Sequence, residues 1–267
     1  MCPVRRGISS GKEILGMRVI FLSANKLGLE VLKEVAKNKS VDIQAVITLA
    51  GDAKTVMYDG VDIREWYEFN APVYEIKDIA QEKELILKLK SELAIICGWR
   101  QIIPKEILDI PTKGFVGFHP TLLPYGRGPA PIINSILLGL KESGVSMYRI
   151  SEGIDDGEII GQEKFTIDDN DYASDVYQKV IIASKKLINF YLHLLAHGRI
   201  NTTKQDESKV FTFPKRSIRD NKIDLEKESA QEIYAKIRAF SEPYNGAYIE
   251  KDGSRLVIWR AELVREI

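Results

Sequence analysis

The stretch VIFLSANKLGLEVLKEVAKNKSVDIQAVIT, Val19–Thr48, decides the fold. Val19–Ser23 is a short apolar run without polar alternation, the pattern of a strand covered on both faces. Leu27, Val31, Leu32 and Val35 follow at helical spacing, and Ile43–Thr48 is a second apolar run. Two buried strands around one amphipathic helix form a parallel βαβ unit. Further on, Val73–Ile76 predicts a third strand after Pro72. Ile79–Lys90 predicts an amphipathic helix with Ile79, Leu85, Ile86 and Leu89 inward, and Leu93–Cys97 a fourth strand ending at Gly98. The alternation predicts a Rossmann-like, doubly wound, mostly parallel α/β sheet, which binds ligands at the carboxyl ends of its strands.

The middle of the chain adds a strand at Phe115–Phe118 running into His119-Pro120, and a helix from Pro131 to about Leu140. Strands at Val145–Ile150 and Ile159–Thr166 are separated by the acidic loop Ser151–Glu158, and Ala173–Leu195 is a long helix. From about Asn201 the pattern loosens. Phe211–Pro214 reads as a crossing segment, Ala230–Phe240 as a helix, and Tyr248–Ile249 with Leu256–Trp259 as a hairpin about Lys251-Asp252-Gly253. Three regions are expected: an N-terminal extension over 1–16, disordered and outside the fold; a main domain over 17–200; and a small C-terminal α+β subdomain over 201–267.

Composition narrows the function. Lys+Arg and Asp+Glu both number 38, and a balanced chain is a poor match to a polyanion partner. Met1–Gly16 lacks the apolar stretch of a signal peptide, and no run approaches the ~20 apolar residues of a membrane span. The only cysteines, Cys2 and Cys97, suggest neither a disulfide framework nor a metal cluster, and the cytoplasm fits. His193 and His197 lie four apart on the late helix, but without a third ligand they read as solvated helix residues. After Val19–Ser23 the chain reads Ala24-Asn25-Lys26-Leu27-Gly28, without the glycine pattern of a dinucleotide-dependent oxidoreductase.

The chemistry concentrates in GFHPTLLPYGRGPAPI, Gly117–Ile132. His119 ends a strand and is pinned by Pro120, Pro124 and the turn Gly126-Arg127-Gly128. Alone, it suits a structural role as well as a catalytic one. EGIDDGEII, Glu152–Ile160, is the second piece. Its Asp155 could return to the same sheet edge through a strand–loop–strand and hold the imidazole, as a general acid–base pair requires. On pattern alone, an acidic turn capped by Gly157 is the favoured reading.

Together, Gly117-Phe118-His119-Pro120-Thr121-Leu122-Leu123-Pro124, Arg127-Gly128 and Asp155-Asp156-Gly157 resemble the folate-dependent formyltransferase family, whose pattern is Asn-x-His-x-Ser-Leu-Leu-Pro, Arg-Gly and Asp-x-Gly. The resemblance spans about Met17–Ile167 and continues less specifically through Lys222–Ile249. It implies transfer of a formyl group from 10-formyltetrahydrofolate to an amine, without a metal. It makes His119 the proton-handling histidine and Asp155 the aspartate that raises its proton affinity. Ser151, Glu152, Gly153 and Ile154 become the loop that meets the pterin, with Trp99, Arg100 and Gln101 lining the same pocket. Arg127 either positions the motif loop or meets an anion.

One departure stands out: Gly117 replaces the family asparagine, which is held to stabilise the oxyanion of the tetrahedral intermediate. Replacement donors could be Thr121, Asn134, Gln101 or a backbone N–H; a non-catalytic folate-binding remnant is the alternative. For the acceptor, Glu207–Ile267 carries twelve Lys/Arg against eleven Asp/Glu, a weak platform for tRNA. The expected partner is therefore a nucleotide-linked amino sugar, with methionyl-tRNA as the alternative, neither nucleic acid nor membrane as a principal partner, and a homodimer as an open possibility.

Overall fold

The computed structural model describes residues 16–53 and 59–264. Residues 1–15, with Cys2 and nearly all of the expected extension, lie outside the described residues.

In chain order the elements are β1 (Met17–Leu22), α1 (Lys26–Lys37), β2 (Val41–Leu49), α2 (Ile63–Trp66), β3 (Val73–Ile76), α3 (Lys83–Leu89), β4 (Leu93–Ile96), α4 (Lys105–Leu108) and β5 (Phe115–His119). There follow β6 (Tyr125–Arg127), α5 (Pro131–Leu137), β7 (Glu142–Arg149), β8 (Ile159–Thr166) and α6 (Ala173–Ala196). The chain closes with β9 (Phe211–Thr212), α7 (Ala230–Phe240), β10 (Ala247–Lys251) and β11 (Ser254–Ile258). Seven strands form one sheet in the order β3-β2-β1-β4-β5-β7-β8. The first five pair in parallel, while β7 and β8 run antiparallel.

The apolar run of β1 explains the two covered faces. Val19 and Phe21 enter a large core with α1, α5, α6 and α7, whereas Ile20 and Leu22 enter a second core with Ile79, Ile86, Ile107 and Leu108. Successive strand side chains point to opposite faces, so a strand buried on both sides must be apolar throughout. Each large aliphatic or aromatic side chain taken out of water contributes roughly 1.5–3 kcal/mol. Asn25 starts α1 by accepting the Gly28 N–H on its side-chain oxygen at 3.0 Å, a standard N-terminal cap.

Three expectations need correction. Ile79–Lys90 is not one helix: a 3₁₀ turn at Ile79–Gln81 precedes α3, and Glu82 between them has non-helical dihedrals. The Asp78 carboxylate caps Ala80, and Gln101 Oε1 accepts from the Ile79 N–H, so side chains hold the turn apart from the helix. The helix at Pro131 stops at Leu137 because Gly139 turns left-handed. Phe211–Thr212 within the crossing segment is a strand, paired in parallel with β6. It is two residues long and has no period to detect. Tyr125 stacks on Phe211 with ring centroids 4.9 Å apart, and buried Phe213 packs edge-on against both rings.

The segment beyond residue 200 is joined closely to the rest. Ile237, Phe240 and Ala247 belong to the same core as α1 and α6, and Arg238 Nη1 donates to the Asp171 carbonyl at 2.8 Å. No helix among the described residues is long and apolar enough to cross a membrane.

Candidate active site

The parallel half of the sheet meets its antiparallel half at β5, and His119 is the last residue of that strand. In the β5–β7 ladder Gly117 stands opposite Tyr148 and His119 opposite Ser146. Residues directly opposite on an antiparallel pair share a face, so these four positions look toward the same side. The connection from β7 to β8 carries Asp155 back to this edge, with Asp155 Oδ2 3.5 Å from His119 Nδ1.

Backbone conformation sets the imidazole. His119 is 7% exposed, and its Nε2 lies 2.7 Å from the carbonyl oxygen of Gly126. A carbonyl only accepts, so Nε2 carries the ring proton and Nδ1 is left to exchange one beside Asp155. Gly126 has φ 79°, and a Cβ there would sit 2.7 Å from Thr121 Cγ2 and 2.9 Å from the Phe213 ring. Only glycine can turn the carbonyl toward His119 in that space.

Asp155 is held from several directions. Its own backbone is left-handed, φ 52°. Oδ2 accepts the Gly128 N–H at 2.8 Å, and Oδ1 accepts the Tyr148 hydroxyl at 2.6 Å. Gln205 Nε2 donates to the carbonyls of Asp155 and Gly157 at 2.8 and 2.7 Å. The motif loop after His119 is fixed in turn by Ser146, whose Oγ donates to the Thr121 carbonyl and accepts from Leu123 N–H and from Gln162.

Arg127 is buried and bidentate. Nη2 and Nη1 reach Glu207 Oε1 and Oε2 at 2.7 and 3.3 Å, and Nε donates to Gln205 Oε1 at 3.0 Å. Of the two roles open to it, the contacts favour positioning: it ties the motif loop to the segment ahead of β9.

The other expected residues divide. Trp99 is half-buried against the second core, and its Nε1 is buried without a hydrogen-bond partner among the described residues. Arg100 is exposed. Gln101 spans the Lys77 carbonyl and the Ile79 N–H. Ser151 Oγ donates to Asp156, Glu152 pairs with Lys105 at 2.6 Å, Gly153 abuts the Asp156 carboxylate and Ile154 is exposed.

The side chains suggested as substitute oxyanion donors are committed elsewhere. Thr121 Oγ1 donates to the Gly126 carbonyl at 3.3 Å, and Gln101 is engaged as above. Asn134 is fully buried, with Nδ2 on the carbonyls of Pro129, Ala130 and Pro214 and Oδ1 accepting from Arg216. Hydrocarbon, rather than a polar group, crowds the place of the missing side chain at 117. A Cβ there would lie 2.5 Å from Ile150 Cδ1 and 3.5 Å from Tyr148 Cε1. The crowding therefore comes from Ile150, the residue following β7, with the Tyr148 ring in ordinary contact.

Tyr148, Gln205 and Glu207 are the site residues that sequence reading missed. Tyr148 had a findable signal, since it lies at the position of β7 that faces the histidine strand; Gln205 and Glu207 lie in a loop and had none. Cys97 is buried, and burial pushes its thiol far above the ordinary range, so it is no nucleophile. His193 lies on α6 and His197 just beyond its end, where His197 Nδ1 meets the His193 carbonyl at 2.6 Å. Among the described residues no group of three or more His, Cys, Asp or Glu is placed to hold a metal.

Known proteins share this frame. Methionyl-tRNA formyltransferase of Bacillus velezensis is 31% identical over 252 residues, covering 92% of this chain and 78% of the relative. A sugar N-formyltransferase from a Shewanella species superposes with TM-score 0.73 at 25% identity, over 93% of this chain and 99% of that one. The N-formyltransferase from Helicobacter canadensis, in complex with folinic acid and dTDP-3-aminofucose, superposes with TM-score 0.68 at 22% identity, over 90% of this chain and 86% of that one. Residues 17–190 match the family described as formyl transferase and residues 217–266 its C-terminal domain; the chain belongs to the formyl transferase family.

Proposed function

We propose that this chain transfers the formyl group of 10-formyltetrahydrofolate to the amine of a nucleotide-linked amino sugar. The observation that carries the transfer is the His119–Asp155 pair at the sheet edge, with His119 Nδ1 as the proton acceptor. The amine nitrogen forms the new bond to the formyl carbon while the carbonyl electron pair moves to oxygen. His119 takes the amine proton as the tetrahedral intermediate forms. The intermediate collapses with cleavage of the bond to folate N10, and the imidazolium returns the proton to that nitrogen. Trp99 fits a pterin neighbour: its buried indole N–H is a donor awaiting an acceptor. The Ser151–Ile154 loop supplies backbone groups beside it. The intact acid–base pair argues against a remnant that only binds folate.

Charge supports the sugar reading of the acceptor. Over the C-terminal part Lys222, Lys227, Lys236 and Arg255 are each paired with an acid. A tRNA surface needs cations that displace counterions from phosphate, and cations already neutralised do so weakly. The ligands named for the Helicobacter canadensis enzyme, a folate and a nucleotide-linked amino sugar, are in keeping with this reading. The Bacillus velezensis relative supports tRNA instead.

Salt separates the two. Binding of a nucleotide-linked amino sugar should weaken only as far as its one or two phosphates require, measured by calorimetry between 50 and 200 mM salt. A tRNA acceptor contacted at six or more phosphates would lose about 10³-fold or more over that range. Tight, salt-sensitive binding of initiator tRNA, with no formyl mass gain on any amino sugar, overturns the sugar assignment.

A further inference from the structure

We infer that Tyr148 is a positioning residue of this enzyme, its hydroxyl holding the Asp155 carboxylate against His119. The inference rests on His119 and Asp155 being the proton-handling pair. Tyr148 faces Gly117 across the β5–β7 ladder, on the face that also carries His119. Its ring edge lies 3.5 Å from where a side chain at 117 would begin, and its hydroxyl is 2.6 Å from Asp155 Oδ1. An aromatic ring covering a glycine on the neighbouring strand is a stable sheet arrangement. A longer polar side chain at 117 would compete for that volume.

The hydrogen bond has a definite electrostatic effect. Oδ1 takes the Tyr148 proton donor while Oδ2 takes the Gly128 N–H and faces His119. Donation to a carboxylate favours its charged form and draws charge away from the imidazole. Tyr148 remains a donor because burial, and then the negative charge of Asp155, raise its pKa well above the usual tyrosine range, with Asp156 adding to the effect. The ionisable groups around the pair are His119 from β5, Tyr148 from β7, Asp155 and Asp156 from the loop, and Arg127 from β6, which is neutralised by Glu207.

Tyr148→Phe keeps the ring and removes only the donor. Hydrogen bonds to charged groups are worth roughly 1.5–3 kcal/mol, so kcat should fall about 10–100-fold with little change in KM for the folate. The charge left on Asp155 then acts more fully on the imidazolium that forms at His119. The acid limb of the kcat/KM profile should therefore move to higher pH. Unchanged kcat, or a lower kcat with an unmoved limb, overturns the positioning role. His119→Ala is measured alongside: if it retains turnover, the acid–base reading itself has failed, whereas its loss with an unaltered Tyr148→Phe sinks only the inference made here.

Discussion

His119→Ala is expected to lower formyl transfer by about 10²–10⁴-fold, the range for loss of a positioned acid–base group. The folate should still bind, since the pterin neighbours are expected among Trp99 and the Ser151–Ile154 loop. Asp155→Ala should approach the same level, because the carboxylate stands beside Nδ1, where it stabilises the imidazolium that forms, and organises the Gly128 N–H and the Tyr148 hydroxyl. The double variant should be little worse than either single, as befits groups that act as one unit. Steady-state rates and folate titration by fluorescence on the three variants check this. Near wild-type turnover in either single variant removes the pair from the mechanism.

Gly117→Asn is the second large effect, and its sign is informative. If the site had merely lost a donor, restoring it would raise turnover by up to about 10²–10³-fold. The space argues otherwise. A Cβ at 117 would stand 2.5 Å from Ile150 Cδ1, so Ile150 must move before the amide can take any position. The clash is with the terminal methyl of the half-buried Ile150, whose rotation costs little, but the amide would crowd the ring that carries the Tyr148 hydroxyl. Turnover should stay level or fall. A large rate gain in Gly117→Asn alone would mean that the wild-type site lacks a donor and nothing has taken its place.

How much of this could be read in the chain depends on the scale of the signal. The βαβ start was legible because β1 and α1 repeat their apolar pattern over several residues, and the bounds read for α7, Ala230–Phe240, match the structure, where Ser229 and Glu232 close its start as a capping box. His119 and Asp155 stood out because each sits in a tight motif. Hydrogen bonds from single side chains left no period: the split at Glu82 depends on Asp78 and Gln101. The pairing of β6 with β9 joins residues more than eighty apart. The origin of the crowding at Gly117 needed the register that sets it opposite Tyr148 and near Ile150.

The contacts of Gln205 and Glu207 bear on how such a protein can be rebuilt. Both residues lie between the regions matched as the two family domains, yet their side chains grip Arg127 and the Asp155 loop. The passage between the halves is therefore part of the candidate site. A graft that exchanges one C-terminal half for another at residue 200 would strand a buried guanidinium without the acid that neutralises it. Modular exchange becomes workable only at a seam beyond Phe213, with the passage inherited alongside the catalytic half.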